Sequence, residues 1–217
     1  MSADLEPMTP EFAEYLRDES RRAGSADSIC FAGTEEDVRG ALGCGGRVTL
    51  QGARTGITAG AVPEGGMILN LSRMNRVGTM EEGRIKVQPG VLLSDLNEGL
   101  EPEGFFFPPD PTETSASIGG MIACNASGAM SLHYGPTRRW VRALRIVLPG
   151  GDRLYLERGQ TAEGRRFRLT TESGREIDGE LPDLPMPDVK NAAGYYVRPD
   201  MDLLDLFIGM EGTLGVI

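Results

Sequence analysis

The 217 residues, 23.4 kDa in all, fit one generous domain or two small lobes with room for a buried core, and exclude a large multidomain machine. With 22 basic against 32 acidic side chains the net charge is −10, which opposes a polyanion bound by counterion release and so argues against nucleic acid as a partner. No apolar run approaches the ~18 residues of a membrane span, and the N-terminus has neither the basic nor the apolar region of a signal peptide, so a cytoplasmic chain is expected.

In chain order, residues 9–22 place Phe12, Tyr15 and Leu16 on one face and predict an outer helix. Residues 28–32 read as a short strand, and Thr34-Glu35-Glu36-Asp37 as a near capping box with Asp at the third position, opening a helix that stops at Gly43. Strands follow at 47–51 and 67–71, with a glycine-rich loop between them. Residues 84–88 predict a strand, Pro89-Gly90 a turn, and 91–100 a helix carrying Leu92, Leu93, Leu96 and Leu100 on one face. The first lobe is expected to end near residue 103, and the proline-dense stretch 105–111 to cross into a second lobe, 104–217.

In that second lobe, 117–124 predict a short helix, and 140–148 and 153–157 a hairpin turned by Pro149-Gly150-Gly151-Asp152. Residues 167–171 and 175–177 flank a second hairpin turn, and residues 202–210 have a helical pattern. The closing run 211–217 looks like the opening of a buried strand that is cut rather than finished. The strand–helix–strand order gives an α+β or α/β first lobe.

Cys30, Cys44 and Cys124 stand far apart with no CxxC spacing, and are expected to be buried free thiols. The single histidine, His133, cannot build a histidine metal site alone; beside Tyr134 it reads as a packed side chain or as a catalyst. No GxSxG elbow places a hydrolase nucleophile.

Two stretches could carry chemistry. The loop 51–60, Gln-Gly-Ala-Arg-Thr-Gly-Ile-Thr-Ala-Gly, follows a strand, and its small residues and two threonines suit a backbone nest for an anion; a surface turn is the alternative. It is neither a Walker loop nor a GxGxxG fingerprint. The stretch 111–128 gathers hydroxyls, Gly119-Gly120 and Asn125, reading either as a ligand surface or, at the glycines, as close helix packing. Together the two stretches could hold one extended ligand from opposite sides.

Five motifs occur in order: 51–56, Pro109-Asp110-Pro111 leading into 117–120, Asn125-Ala126-Ser127-Gly128, Tyr134-Gly135, and 207–217. Over residues 15–217 the chain resembles the FAD-binding domain of the vanillyl-alcohol oxidase superfamily, in the glycolate oxidase D subunit and D-lactate dehydrogenase branch. The resemblance implies the PCMH-type α+β fold, two subdomains clasping FAD. It assigns cofactor contacts to Gln51, Gly52, Ala53, Arg54, Thr55 and Gly56 at the diphosphate, and to Pro109, Thr112, Ala116, Ser117, Gly119, Gly120, Ala123, Asn125 and Gly128 along diphosphate and flavin. Tyr134, Gly215 and Ile217 complete the set, with the closing strand facing the adenine side.

The resemblance further implies hydride transfer from a 2-hydroxy acid such as glycolate or D-lactate to flavin N5. Relatives that attach FAD covalently use a histidine in the first loop; here Arg54 and Thr55 stand there, so a non-covalent flavin is expected, with Arg54 either pairing with a phosphate or facing solvent. Three departures stand out. Ala53-Arg54 replace glycines, the hairpin region 158–184 is long and suggests an arm for a partner subunit, and the cap domain that supplies substrate-binding arginine and proton-abstracting histidines is not in this sequence. The chain is thus expected to be the flavin half of a longer enzyme without its own catalytic base, or alternatively a non-catalytic flavoprotein module that docks on a partner and passes electrons.

Overall fold

A computed structural model describes residues 4–109, 111–189, 191 and 194–217. Asp110 of the Pro109-Asp110-Pro111 element lies outside these residues, as do Lys190, Ala192 and Ala193. The chain divides into two compact units, Met1–Phe107 with Thr112–Gly120, and Pro108–Pro111 with Met121–Ile217.

The first unit is built on a four-stranded sheet in the order β1-β2-β4-β3, from β1 (Glu6–Pro7), β2 (Ser28–Phe31), β3 (Val48–Gln51) and β4 (Met67–Asn70). β2 and β3 both run parallel to β4, pairing Ile29 with Ile68 and Leu50 with Leu69. Every residue of the central strand β4 is buried, as a parallel strand covered on both faces requires. The helix α1 (Glu35–Gly43) connects β2 to β3 and starts on a full capping box: Asp37 N–H donates to Thr34 Oγ1 at 3.2 Å, while Asp37 Oδ2 accepts from Thr34 N–H at 2.9 Å. Asp is short for this role, yet it also accepts from Gly33 N–H at 3.0 Å. Desolvation, the largest single effect, raises its carboxyl, but the three hydrogen bonds together outweigh it and hold the pKa below the ordinary value.

The N-terminal segment is a 3₁₀ helix, Pro10–Leu16, rather than a helix to residue 22. Arg17 is already extended, and Arg21 takes φ +64°, which ends any helical continuation. The tighter 3₁₀ turn aligns residues three apart, so Phe12 and Tyr15 both reach Phe31 of β2, with ring centroids 5.8 and 5.1 Å away. A hairpin of β5 (Val77–Glu81) and β6 (Arg84–Val87) follows. β5 carries no strand signal because it is mostly exposed and holds Gly78. In α2 (Leu93–Leu100), Leu93, Leu96 and Leu100 are buried, and Leu92 is the N-cap residue.

The helix α3 (Ile118–Ala123) leads into the second unit, which continues with α4 (Ser131–Tyr134). Two antiparallel hairpins follow, β7 (Ala143–Val147) with β8 (Arg153–Glu157), and β9 (Arg166–Thr170) with β10 (Glu176–Glu180). Residues 202–210 form only a short 3₁₀ helix, Leu203–Phe207. Arg138 takes the carbonyls of Asp205 and Ile208, acceptors that a continuing helix would use itself. The expected closing strand is reduced to one antiparallel bridge, Val216 to Val147, with both bonds at 2.8 Å. Cys30 is buried as expected, and burial raises its thiol pKa; Cys44 and Cys124 are exposed, correcting the expectation of three buried thiols. Among the described residues no helix is long and apolar enough to cross a membrane.

Candidate functional site

At the C-terminal ends of β3 and β4 the sheet presents two buried amides, Gln51 and Asn70, side by side in register. Such ends are where parallel sheets bind ligands. Gln51 Nε2 donates to Tyr15 O at 2.7 Å and to Ala61 O at 2.8 Å, so one side chain ties the end of the strand to both the N-terminal segment and the far side of the loop. Asn70 Oδ1 accepts from Ser72 N–H at 3.0 Å. In the sequence Tyr15 reads only as part of a helix face and Asn70 only as part of a strand, and neither pattern marks a site residue.

The backbone turns immediately after Gln51. Gly52, Ala53, Arg54 and Thr55 are half-buried, and Arg54 takes φ +60°. Among the described residues no acceptor faces the amide N–H groups of Gly52, Arg54 or Thr55. Amide donors left without a protein acceptor are open to a ligand or to water, and a run of such N–H groups can form an anion site.

Ser117 closes this turn from 64 residues away. Its Oγ, almost wholly buried, accepts from Ala53 N–H at 3.3 Å and from Gly120 N–H at 3.4 Å. The hydroxyl proton stays free to donate. Gly119 N–H donates to Pro89 O at 2.9 Å and Ile118 N–H to Val91 O at 2.8 Å, so the first N–H groups of α3 are already used by protein. The N–H groups left without a protein acceptor here are therefore those of the 51–60 loop, not those of the helix end. Ala116 is buried, its carbonyl accepting from Leu93 N–H at 2.9 Å, whereas Thr112 and Gly56 are exposed.

The Arg54 guanidinium is engaged elsewhere in the same unit: Nη2 lies 2.9 Å from Glu14 Oε2, and the group stacks 4.2 Å over the Tyr15 ring.

The remaining sequence-selected residues lie in the second unit. Asn125, buried and at φ +47°, accepts Arg138 N–H on Oδ1 at 3.1 Å. Ala123 O accepts from Glu211 N–H at 2.9 Å, and Ile122 O from Gly209 N–H at 3.0 Å, so the closing motif packs on the segment that carries Asn125. Gly128 N–H donates to Ser131 Oγ at 2.7 Å, at the start of α4. Tyr134 O accepts from the Trp140 indole at 3.2 Å, and its ring meets His133 edge-on at 4.5 Å. Pro109 and Gly215 are buried and Ile217 half-buried. A β-carbon at Gly215 would stand 2.8 Å from Ile146 Cγ2 and 2.9 Å from Val147 O, which is why glycine precedes the Val216 bridge. Arg138 and Asp205, an ion pair at 3.1 Å, escaped sequence reasoning because they are 67 residues apart.

The donor set of the first unit fits the diphosphate of a dinucleotide. Neutral N–H and O–H groups hold an anion without requiring a basic protein. Three such bonds to a charged group, at about 1.5–3 kcal/mol each, are on the scale of the ~8 kcal/mol of a micromolar affinity.

Residues 26–156 match the family model described as FAD binding domain. The chain is 38% identical over 173 residues to a D-lactate dehydrogenase of Anaerostipes hadrus, covering 78% of this chain and 29% of that one. It is 34% identical to the glycolate oxidase subunit GlcD of Bacillus subtilis, covering 78% and 30%. A D-2-hydroxyglutarate dehydrogenase of Xanthomonas citri is 31% identical over 99% of this chain and 39% of its own. In fold the chain is similar to a 6-hydroxy-D-nicotine oxidase of Arthrobacter nicotinovorans, with a TM-score of 0.65 at 18% identity over 72% of this chain and 36% of that one. The chain spans about a third of the length of the relatives it matches.

Proposed function

The chain belongs to the FAD-binding domain family, and from that premise we propose that the complete protein is an FAD-linked oxidoreductase acting on a 2-hydroxy acid, glycolate and D-lactate being the first substrates to try. The names of the relatives support the substrate class, three of them acting on D-lactate, glycolate or D-2-hydroxyglutarate. FAD is the cofactor, and when bound it supplies the redox chemistry by accepting a hydride from the hydroxyl-bearing carbon.

The observation that carries the reading is the set of N–H groups without protein acceptors on the half-buried residues Gly52, Arg54 and Thr55, with the Ser117 hydroxyl beside them. In this reading these groups hold the diphosphate, and Gln51 fixes the loop that presents them. The attachment is non-covalent, because the only histidine, His133, sits in α4 of the second unit rather than in the 51–60 loop. Substrate binding and proton abstraction are assigned to a cap domain outside these 217 residues, in keeping with the length of the relatives. A partner subunit is proposed on the strength of the word "subunit" in the name of the Bacillus relative.

Titration calorimetry with FAD tests the first step: saturable binding of one FAD per chain is expected, released into the supernatant on acid precipitation. A chain that gives no heat with FAD, or yellow precipitated protein, defeats the reading or its non-covalent form respectively.

A further inference from the structure

Residues 10–24 lie before the segment matched by the family model, yet they hold the anion loop at several points. Tyr15 O accepts from Gln51 Nε2 at 2.7 Å, Arg54 O accepts from Glu19 N–H at 3.2 Å, and Asp18 Oδ2 accepts from Ala61 N–H at 3.4 Å. The Arg54 side chain adds an ion pair to Glu14 at 2.9 Å and a cation–π contact to Tyr15 at 4.2 Å. Glu14, Arg17, Asp18 and Glu19 of this segment line a cleft of about 760 Å³ together with Ala53 and Arg54. The Glu14 carboxylate and the Tyr15 ring thus engage the Arg54 guanidinium within the N-terminal segment.

We propose that the N-terminal segment braces the FAD-binding loop, and that Arg54 and Glu14 are positioning residues: Arg54 fixes the loop by its side chain and offers the cofactor only its backbone N–H. This rests on the diphosphate reading of the loop. Arg54 sits at φ +60°, a backbone state that a non-glycine residue leaves readily unless held. The clasp supplies that hold, and so keeps the loop that carries the N–H groups of Gly52, Arg54 and Thr55 in one backbone state before the ligand arrives.

The sign of one substitution separates positioning from direct ligation. Glu14→Gln at an exposed site removes the partner of the Arg54 charge while leaving the guanidinium in place. If Arg54 bound phosphate itself, freeing it would leave FAD affinity unchanged or improve it. Bracing requires the opposite.

The experiment titrates FAD into the full 217-residue chain and its Glu14→Gln, Tyr15→Leu, Arg54→Ala and Glu14→Gln/Arg54→Ala variants, with melting temperatures recorded alongside. Glu14→Gln is expected to weaken FAD by about threefold and Arg54→Ala by about tenfold, with the double variant no worse than Arg54→Ala, the coupling expected of one clasp. Tyr15→Leu is expected to fall between them. Unchanged or tighter binding by Glu14→Gln, or full additivity in the double variant, overturns the brace while leaving the diphosphate reading intact. A wild-type chain that takes up no FAD defeats that reading instead.

Discussion

Gly52 and Ser117 touch at a distance that admits no side chain: a β-carbon on residue 52 would lie 2.2 Å from Ser117 Oγ and 3.3 Å from Ser117 Cβ. The glycine is thus required by approach, not by a left-handed backbone, and the approach brings the loop after β3 against the start of α3.

Gly52→Ala is therefore expected to destabilise the chain by about 1–3 kcal/mol, as overpacking of a closed contact does. Ser117→Ala removes the acceptor of the Ala53 and Gly120 N–H groups and is expected to cost about 1–3 kcal/mol. The two effects should not add. Without Oγ the nearest atom to the new methyl is the 3.3 Å β-carbon, so the double variant should be more stable than the sum by about 1 kcal/mol or more. Urea denaturation of the four proteins measures this, and simple additivity would show that the two residues do not meet.

Glycines 119 and 56 separate packing from ligand approach. A β-carbon at Gly119 would stand 2.5 Å from Pro89 Cβ and 3.0 Å from Pro89 O, whereas at Gly56 it would meet nothing within 4 Å. Gly119→Ala should lower stability by more than about 1 kcal/mol. Gly56→Ala should leave stability within about 0.5 kcal/mol, yet weaken FAD if the cofactor's diphosphate comes close to the backbone there. Thermal melts and FAD titrations on both variants check this; an intact affinity in Gly56→Ala would remove Gly56 from the site.

Much of this arrangement is legible in sequence where the signal is local. The Thr34–Asp37 box, the β7–β8 turn and the leucine face of α2 depend on neighbours a few residues apart, and each forms as expected except that Leu92 caps the helix instead of joining its buried face. The 3₁₀ helices at 10–16 and 203–207 look longer in sequence because their side-chain spacing is helical while their ends are set by tertiary partners, Phe31 in one case and Arg138 in the other. The glycine-rich loop could be found, but the task of Arg54 could not: its partner Glu14 is 40 residues away, and pattern alone leaves a guanidinium free to meet either a phosphate or a carboxylate.

In the second unit Asp205 stands between two arginines, with Oδ1 3.1 Å from Arg138 Nη1 and 2.7 Å from Arg158 Nη1. Burial dominates at Arg138 and lowers its pKa from the usual guanidinium value, with Asp205 opposing the shift. Asp205→Asn would leave two half-buried cations facing each other with only Asp202, 3.8 Å from Arg158 Nη1, as a counter-charge. A loss of about 3–5 kcal/mol is expected in urea denaturation, and a loss below about 1 kcal/mol would mean that the trio behaves as an exposed surface pair.

Asp152, in the β7–β8 turn, accepts from Ser173 Oγ in the β9–β10 turn at 2.6 Å and from Arg153 N–H at 2.8 Å, stapling one hairpin to the other. The Ser173 hydroxyl, then that of Thr171, lowers the carboxyl from 3.8 to about 2, with burial opposing. A depressed carboxyl pKa stabilises the fold fully above its unfolded value and loses that contribution as pH falls through the folded one. The window here runs from about pH 4 down to about pH 2. Ser173→Ala, which removes the leading cause, should lower the melting temperature by a constant amount above about pH 5, and the gap from wild type should close as the pH falls through that window. Melting curves that stay parallel from pH 5 to the lowest pH at which both chains fold would show that the staple does not depend on the Asp152 charge. Ser173→Thr, which keeps the hydroxyl, should follow the wild-type profile and so separates the hydrogen bond from the fit of the turn.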